Sequence, residues 1–459
     1  MNDHEQQTRS WRKYTPCGCV LLMFMVGLAL PAIGWMIWAA NASQSVEAEL
    51  AKIRELGEPI EPTDMDSFYV IPDGKSDATK LWTEVAAIFD TEAYGERAKA
   101  IPVVGQGSDI PPVGEEWEQL EAVAAFLDEY REEMKKIHEA ARLGGQARFD
   151  RDFDEGLAML LPDVQGLRGC NRMLKLEARV AAHRGDAAAA ARSIHAMFST
   201  CHAVQEDPLL ISHLVRVALA GMAIGELETA IGESVGFSDD DLRMLREDIR
   251  SIDFKHSLER ALMGERVIGL LTFRNPGRFD VDNNIPFPTR ANNEDLALYL
   301  STVAKYIEAS RAPFPEALSL ADEATAHVTE VAGSSQINKL RYVFTNLLLP
   351  AVNATFEASA RGTGASHCGD VSLAIEQYRR KRGEIPGSLQ ELVPELLDSV
   401  PIDPMDGHPL RYVINDDGYV LYSVGRNRVD DGGVMGDKRL DEVFAVKLRT
   451  TSSPAESNE

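Results

Sequence analysis

Positive charge is scarce in this sequence. The 459 residues include 47 lysines and arginines against 72 aspartates and glutamates, which gives a formal net charge of −25 at pH 7. No Lys/Arg-rich run with interleaved aromatic residues occurs in the chain. Because such an acidic surface would repel nucleic-acid phosphates, the sequence argues against nucleic-acid binding, and solubility is the plainer explanation of the acidity.

Recognisable catalytic motifs are missing as well. The sequence contains no Gly-x-Ser-x-Gly nucleophile elbow, phosphate-binding loop, dinucleotide fingerprint or His-Glu-x-x-His metal motif. Cys201 and His202 are neighbours on a predicted helix, so they point apart and cannot pair as nucleophile and base. His213 lies beside an apolar helix face and is interpreted as a core residue. The sequence therefore predicts no catalytic residue and no cofactor-binding residue.

Charge is absent altogether from Cys17–Ala40, whose sequence is CGCVLLMFMVGLALPAIGWMIWAA. A helix of about 24 residues can cross a bilayer core of roughly 30 Å with some tilt. Trp35 and Trp38 lie near its far end, where amphipathic rings favour the membrane interface. Three basic residues precede it: Arg9, Arg12 and Lys13. The positive-inside rule then predicts a single-pass membrane protein with a cytoplasmic N-terminus and the bulk of the chain in the periplasm.

A cleaved signal peptide is the alternative explanation of this run. Ala40-Asn41-Ala42 would supply the small-residue cleavage site. The run is longer than the usual apolar region of a signal peptide, so we favour a membrane anchor. The predicted organisation thus begins with a cytoplasmic tail (1–16) and a transmembrane helix (17–40), and it ends with a disordered tail (450–459).

Hydrophobic periodicity predicts a mainly α-helical body after the anchor. Short helices and a linker occupy 41–114, where Thr91–Gly114 is rich in proline and glycine, and a helical-hairpin domain occupies 115–360. Short connections predict antiparallel hairpins, which are loosely similar to tetratricopeptide-type repeats but follow no strict repeat period. The predicted helices are Ser45–Leu56, Asp77–Phe89, Glu115–Leu143, Gly166–His183, Asp186–Gln205, Pro208–Glu233, a helix from the Ser238/Asp241 capping box to about Arg250, Phe254–Leu270, Asn293–Ser310 and Val343–Ala360.

Cysteine is rare too, with five in the chain. In the predicted periplasmic region cysteines would meet an oxidising environment. Cys170 and Cys201 lie at nearly equal sequence distances on either side of Gly185, the predicted turn of a helical hairpin. Antiparallel helices would bring them to the same level, either as a disulfide or as two buried free thiols.

The most informative stretch is Val371–Gly433. An amphipathic helix carries Val371, Ile375 and Tyr378 on one face and ends at Gly383, which tolerates positive φ. If the preceding helix ran into it through three glycines, we would expect a kink or a break. The further predicted features are a short helix with a capping box of Ser388 and Glu391, and two strands, Leu410–Ile414 and Tyr419–Ser423, joined by the hairpin turn Asn415–Gly418.

These features in this order resemble the C-terminal domain of the major pseudopilins of the type II secretion system. The matching residues are Tyr378 and Gly383, the Ile385-Pro386 step with Leu389 and Leu392, and the runs Asp403–Tyr412, Tyr422–Asn427 and Asp430–Gly433. The resemblance implies a small α+β domain with an antiparallel sheet over 366–449. The whole chain also resembles a group of bacterial membrane-anchored proteins that carry this domain after Ala-rich helices and have no assigned activity.

A working pilin anchor is excluded by the same apolar run. A prepilin needs a processing site of glycine followed by an aromatic residue, with a glutamate shortly inside the apolar helix. No glutamate occurs between Cys17 and Ala40. The resemblance therefore implies a borrowed domain rather than a pilin subunit.

The resemblance also implies a calcium-binding loop after the step Ser423-Val424-Gly425. Aspartate carboxylates and backbone carbonyls are the hard oxygen ligands that Ca²⁺ prefers. This loop departs from the family pattern, since it is shortened and carries Lys438 and Arg439, and a solvated acidic turn is the alternative. The predicted ligands are Asp430, Asp431, Asp437 and Asp441, with Asp430 and Asp437 as the best single choices.

The sequence as a whole predicts a membrane-anchored scaffold or protein-interaction protein of the bacterial envelope, without catalysis, that presents a pseudopilin-like module. The alternative is an envelope hydrolase with a carboxylate pair in the helical domain, which only the abundance of acidic residues supports. A deep pocket with two close carboxylates of raised pKa would favour the enzyme, and a shallow helical groove would favour the scaffold.

Overall fold

The chain is mainly α-helical, with a small antiparallel sheet near its C-terminus, as predicted. The computed structural model describes residues 15–275, 293–434 and 441–447. In chain order the helices are α1 (Thr15–Leu56), α2 (Met65–Phe68), α3 (Thr79–Phe89), α4 (Glu92–Ala98), α5 (Leu120–Glu129), α6 (Arg131–Arg142), α7 (Pro162–His183), α8 (Ala187–Ala203), α9 (Leu210–Gly232), α10 (Asp239–Arg250), α11 (Phe254–Arg274), α12 (Asn293–Arg311), α13 (Glu316–Ala332), α14 (Gln336–Arg341), α15 (Val343–Leu348) and α16 (Val352–Arg382). The strands are β1 (Arg411–Asn415), β2 (Gly418–Ser423) and β3 (Glu442–Lys447).

Helix α1 joins the predicted anchor and the predicted helix Ser45–Leu56 into one helix of 42 residues. At about 1.5 Å per residue it is roughly 60 Å long. Toward the end of the predicted anchor, α1 exposes a series of large apolar side chains: Leu30, Ile33, Met36 and Ile37. The helix ends where Gly57 adopts a positive φ of 67°.

The second half of α1 packs along α12. Its residues buried against the body are Val46, Leu50 and Ile53. Ser43 Oγ accepts a hydrogen bond of 2.6 Å from Asn293 Nδ2 at the start of α12. Arg311 at the end of α12 pairs with Glu58 at 2.8 Å. The two helices therefore run parallel, and the start of α12 is level with the end of the apolar run of α1.

Helices α7 and α8 form the antiparallel hairpin expected around Gly185, whose φ is 76°. Asn171 Nδ2 on α7 donates to Thr200 Oγ1 on α8 at 2.8 Å. Nearer the turn, Ser193 Oγ on α8 donates to the Glu177 carboxylate on α7 at 2.7 Å. Both pairs lie at nearly equal sequence distances from the turn. Helix α9 packs on both members of the hairpin, and α10 packs on α8.

Of the two predicted capping boxes, the first is confirmed and the second is wrong. Ser238 Oγ accepts the Asp241 amide at 3.2 Å, and the Asp241 carboxylate accepts the Ser238 amide at 2.9 Å. After Ser388 the chain forms a 3₁₀ turn, and this serine makes no side-chain cap bond within the described residues. Glu391 instead accepts a hydrogen bond from the Tyr378 hydroxyl at 3.0 Å.

Two predictions in the first third of the chain are wrong. The predicted helix Glu115–Leu143 is divided into α5 and α6, which separate at Tyr130 (φ −105°, ψ 24°). The ring centroid of Tyr130 lies 5.2 Å from that of Phe126 and 5.6 Å from that of Tyr94, so aromatic packing outweighs helix continuity here. Tyr94 is buried on α4, a helix within the predicted linker Thr91–Gly114.

Helix α16 continues where a kink or break was expected. It runs through Gly362, Gly364 and Gly369, although each glycine disfavours a helix by about 1 kcal/mol. A Cβ atom at Gly364 would lie 2.9 Å from Ser423 on β2. A Cβ atom at Gly369 would lie 3.1 Å from Ile249 on α10. The glycines therefore let the sheet and α10 pack directly on the helix, and this packing offsets their low helix propensity.

The sheet has the order β1-β2-β3 and confirms the predicted hairpin, with Asn415–Gly418 as its turn. Strand β3, which was not predicted, pairs with β2, so β2 is the central strand and is buried. The Tyr419 hydroxyl lies 2.8 Å from Ser372 Oγ on α16. The Ala445 amide donates to the Glu228 carboxylate on α9 at 2.7 Å. The sheet is thus attached both to α16 and to the helical body.

The two larger hydrophobic clusters of the described residues connect most of these elements. One connects α3 and α5–α10 with the sheet and the second half of α16, including Ile375. The other connects α1 with α11–α13, α15 and the first half of α16, including Phe356. The predicted boundary between 115–360 and 366–449 falls inside this helix. The second half of α16, the sheet and the segments between them are called the C-terminal module below.

Candidate functional site

The described part of the loop between β2 and β3 contains three of the four predicted calcium ligands: Asp430, Asp431 and Asp441. Asp437 lies outside the described residues. Asp441 Oδ2 accepts the Gly433 amide at 2.8 Å, and Asp430 Oδ1 accepts the Tyr422 hydroxyl at 3.1 Å. Within the part of the chain that the structure describes, no group of three or more His, Cys, Asp or Glu residues is arranged to hold a metal ion. The calcium site stays a prediction.

The buried carboxylate of Asp403 connects the segments that carry the pseudopilin resemblance. It accepts hydrogen bonds from Ser423 Oγ at 2.6 Å and from the Val424 amide at 2.8 Å, both at the end of β2. It also accepts from Arg411 Nη1 at 2.6 Å and from the Met405 amide at 2.9 Å. Asp403 therefore ties β1 to β2. The sequence carries no local signal for this role, because the partners of Asp403 come from separate positions along the chain.

Arg411 adds two further carboxylates to this network. Its guanidinium contacts Asp406, and its Nε lies 3.5 Å from Asp430 Oδ2. The hydrogen bond that Arg411 donates to the Asp406 carboxylate is the main cause that raises the pKa of Arg411. A cation that used Asp430 as a ligand would share this carboxylate with the guanidinium group.

A cleft of about 370 Å³ lies between the C-terminal module and the helical body, and we call it the α10–α16 cleft. Asp370 on α16 accepts from Arg246 Nε at 2.8 Å and from Arg250 Nε at 3.0 Å, so both of its oxygens are occupied. His367 Nδ1 lies 3.0 Å from Ile402 O, and burial lowers the pKa of this histidine. Arg250 is half exposed, so it can donate to a carboxylate or another anion in this cleft.

Two buried glutamates have the raised pKa that the hydrolase alternative requires. Burial raises the pKa of Glu226 on α9 and that of Glu265 on α11 to about 7 in each case. The Glu226 carboxylate lies 3.6 Å from Lys175 Nζ and 3.9 Å from Arg179 Nη1. The Glu265 carboxylate accepts the Leu210 amide at 3.4 Å. The two glutamates therefore have different partners, and neither lines the α10–α16 cleft.

Asp163 and Asp207 share one buried arginine. Arg151 Nη2 lies 2.7 Å from Asp163 and 2.6 Å from Asp207. Burial raises the pKa of Asp207 in spite of this neighbour. Asp163 also borders a cleft of about 810 Å³ beside α3. Because the guanidinium lies between the two carboxylates, they form an ion-pair network rather than a free acid–base pair facing the cleft.

His213 is a core residue, as predicted. Its Nδ1 lies 2.9 Å from Ser257 Oγ and its Nε2 lies 2.8 Å from Ser359 Oγ. Burial lowers the pKa of His213 to about 3, and the charge of Arg216 adds to this effect. The imidazole is therefore neutral at physiological pH and links α9 to α11 and α16.

Cys170 and Cys201 are free thiols, and both are fully buried. This is the second of the two predicted alternatives, and the structure contains no disulfide between them. Burial raises the pKa of both thiols, that of Cys201 to about 12. Neither cysteine is a reactive thiolate near neutral pH, since nucleophilic chemistry requires the deprotonated sulfur.

The end of the predicted transmembrane run contacts the body. Trp38 Nε1 donates to the Glu294 carboxylate at the start of α12. The Arg341 guanidinium lies 5.1 Å from the centroid of the Trp38 ring and pairs with Glu294 at 2.7 Å. Among the described residues, one helix is long and apolar enough to cross a membrane by length and composition alone. It is α9, and more than half of its most apolar stretch is buried in the protein.

Comparisons with known proteins find no matching family model, no matching curated protein and no matching solved structure. The pseudopilin resemblance of the C-terminal module therefore stays a prediction.

Proposed function

We propose that this chain is a scaffold or protein-interaction protein of the bacterial envelope, without catalysis, anchored in the membrane by the first half of α1. The helical body and a pseudopilin-like C-terminal module would then lie in the periplasm. The proposal rests on the different surroundings of the two halves of α1. Large apolar side chains such as Leu30 and Ile33 are exposed in its first half, whereas Leu50 and Ile53 in its second half pack against the body. Such a segment is stable in lipid and costly in water.

The direction of α16 supports a module that points away from the anchor. Phe356 on α16 lies 5.9 Å from Tyr306 on α12, measured between ring centroids. Further along, Gly362 packs on the first turn of α11, where Lys255 donates to Arg311 O at the end of α12. Helix α16 therefore runs parallel to α12. Because the start of α12 contacts the anchor, the C-terminal module is displaced from the membrane along this direction.

Site-specific photocrosslinking tests the scaffold function. A photoreactive amino acid at Val413, an exposed position on β1, would be compared in cells with one at Lys52, an exposed position on α1. We expect a discrete crosslinked envelope protein, identified by mass spectrometry, from Val413 and the same protein from the neighbouring exposed Ile414. Identical crosslinks at Lys52 and Val413, or none at either β1 position, would contradict the proposal.

Calcium binding in the loop between β2 and β3 is proposed as a property of the same module, because three carboxylates share this loop. Thermal unfolding of the full chain with Ca²⁺ or with a chelator tests it. Calcium at about 100 times its dissociation constant would add about 2.7 kcal/mol of stability. We expect Asp430→Asn to remove the effect and Asp416→Asn, in the hairpin turn, to keep it. Equal unfolding temperatures with and without Ca²⁺ would exclude the site.

A further inference from the structure

Helices α14 and α15 carry large apolar side chains that the described part of the chain leaves exposed. Ile337, Leu340 and Leu347 are 77%, 65% and 61% exposed. Ile337 and Leu340 are three residues apart on α14 and therefore share one face of that helix. Soluble protein surfaces rarely collect several large exposed apolar side chains within one short segment, so the segment indicates a contact surface.

This segment is held at the start of α12. The Asp295 carboxylate accepts hydrogen bonds from the Phe344 amide at 3.0 Å and from the Thr345 amide at 3.1 Å. Arg341, at the end of α14, pairs with Glu294 at 2.7 Å. Because the start of α12 is level with the end of the apolar run of α1, the exposed side chains of α14 and α15 lie near the same level.

Arg341 also brings the segment into direct contact with α1. Its guanidinium lies 5.1 Å from the centroid of the Trp38 ring, in the range of a cation–π interaction. Trp38 follows directly on Met36 and Ile37, which are exposed. Since a helix rises about 1.5 Å per residue, the exposed apolar run begins within a few ångströms of this contact. The two apolar surfaces are therefore neighbours.

The polar side chains in the segment suit a membrane interface. Lys339 is exposed, and Tyr342 is partly exposed. A long basic side chain can pack its stem against acyl chains while its charge reaches the headgroups. A tyrosine ring favours the same depth because one end is apolar and the other polar. The segment thus combines apolar anchors with the residue types found at headgroup level.

We propose that α14 and α15 form a second membrane contact, in which Ile337, Leu340 and Leu347 enter the lipid interface beside α1. The inference rests on the proposed function, because α1 must cross the bilayer for the segment to reach it. An apolar run of about 24 residues spans a core of roughly 30 Å and ends near Trp38, which places the interface at this level. Attachment to the anchored body supplies the high local concentration that two short helices need to stay on a membrane.

Depth-dependent fluorescence quenching of the full-length chain tests this contact. Single cysteines at Leu340, Ile33 and Val413 would carry an environment-sensitive NBD probe, with Cys17 and Cys19 replaced by serine. The other cysteines are buried and can stay. Each labelled protein would be reconstituted into phosphatidylcholine vesicles with and without doxyl-labelled phosphatidylcholine. Val413 is the matched control, since it is also an exposed apolar residue. It belongs to the C-terminal module, which is displaced from the proposed level of the membrane.

We expect blue-shifted emission and loss of emission in doxyl-containing vesicles for the probes at Leu340 and Ile33, and neither change at Val413. Quenching at Ile33 without quenching at Leu340 would overturn the second contact and leave the anchor standing. Absence of quenching at Ile33 would overturn the anchor and the inference together. A blue shift at Leu340 without doxyl quenching would show that protein, such as a second copy of the chain, covers the patch. Equal quenching at Val413 would contradict a localised contact.

Discussion

Helices α1 and α9 are both long and apolar, yet only α9 is enclosed by other helices. Within α9, His213, Arg216 and Glu226 are buried, and each has polar partners on neighbouring helices. Helix α1 has no charged residue between Cys17 and Ala40, and its apolar residues Leu30, Ile33, Met36 and Ile37 are exposed. A buried polar group needs a fixed partner in the protein, which the hydrocarbon core of a bilayer does not offer. Polar content therefore separates the two helices where apolarity alone does not.

The largest expected effect is the loss of Arg216 from α9. Its guanidinium is fully buried and donates to Cys201 O at 3.1 Å and to Ser257 Oγ at 2.9 Å. Arg216→Met removes this buried donor from both acceptors, so we expect the free energy of unfolding to fall by about 3 kcal/mol. Urea unfolding of the purified full chain in detergent measures the change. Arg54→Met, at an exposed position on α1, should stay within about 0.5 kcal/mol of the unmodified chain. An unchanged midpoint for Arg216→Met would contradict the role given to the buried polar groups of α9.

A charge in the first half of α1 is expected to have the next largest effect. Ile33→Lys should raise the free energy of membrane insertion by up to about 3 kcal/mol, because an ammonium group would enter the hydrocarbon region. We expect more of this variant than of the unmodified chain in the soluble fraction after alkaline carbonate extraction. Gln44→Lys, exposed on the half of α1 that packs along the body, is the matched control and should stay in the membrane fraction. Equal retention of both variants would weaken the distinction between α1 and α9.

His213 on α9 should make stability depend on pH. Burial lowers its folded pKa to about 3, whereas an unfolded histidine titrates near pH 6.5. Between these values the unfolded chain binds a proton that the folded chain excludes, so stability rises as pH rises through this window. His213→Asn should reduce proton uptake on unfolding near pH 5 by up to one proton. Urea unfolding over a pH series measures this, and His327→Asn, at an exposed position, should leave the slope unchanged. Identical slopes for the two variants would show that His213 is not held neutral.

Glu226 on the same helix should have an effect of opposite sign and smaller size. Burial raises its folded pKa to about 7, while an unfolded glutamate titrates near pH 4.3. Between these values the folded chain holds a proton that the unfolded chain loses, so stability falls as pH rises through this window. Glu226→Gln should therefore gain stability relative to the unmodified chain between pH 5 and pH 8, by about 1–2 kcal/mol. Glu247→Gln, exposed on α10, should show no such gain, and an equal gain in both would contradict the assignment.

Local signals in the sequence were enough to predict structural features whose interacting residues are close along the chain. The capping box joins Ser238 to Asp241, three positions along the chain, and the α7–α8 hairpin turns at Gly185 with partners at similar distances on both sides. The hairpin of β1 and β2 has the short turn that its sequence indicates. These elements depend on backbone conformation and side-chain bonds within one segment, so the pattern of residues predicts them directly.

Features that depend on distant partners could not be predicted in the same way. Helix α16 continues through its glycines because Ser423 and Ile249, from other parts of the chain, pack against them. Tyr130 interrupts a predicted helix to pack on Tyr94. The apolar surface of α14 and α15 was missed because helices of six residues show little periodicity. In the candidate site, the role of Asp403 was missed for the same reason, since it bonds to residues about twenty positions away.

The orientation of the chain across the membrane tests the central claim most directly. A membrane-impermeant maleimide would be applied to cells with a permeabilised outer membrane that express the full chain with Asp416→Cys or Gln6→Cys, again with Cys17 and Cys19 replaced by serine. The native buried cysteines have raised pKa values and should not react. We predict that Asp416→Cys is labelled in these cells and that Gln6→Cys is labelled only after the inner membrane is disrupted. Labelling of Asp416→Cys only after that disruption would place the helical body in the cytosol and contradict the claim.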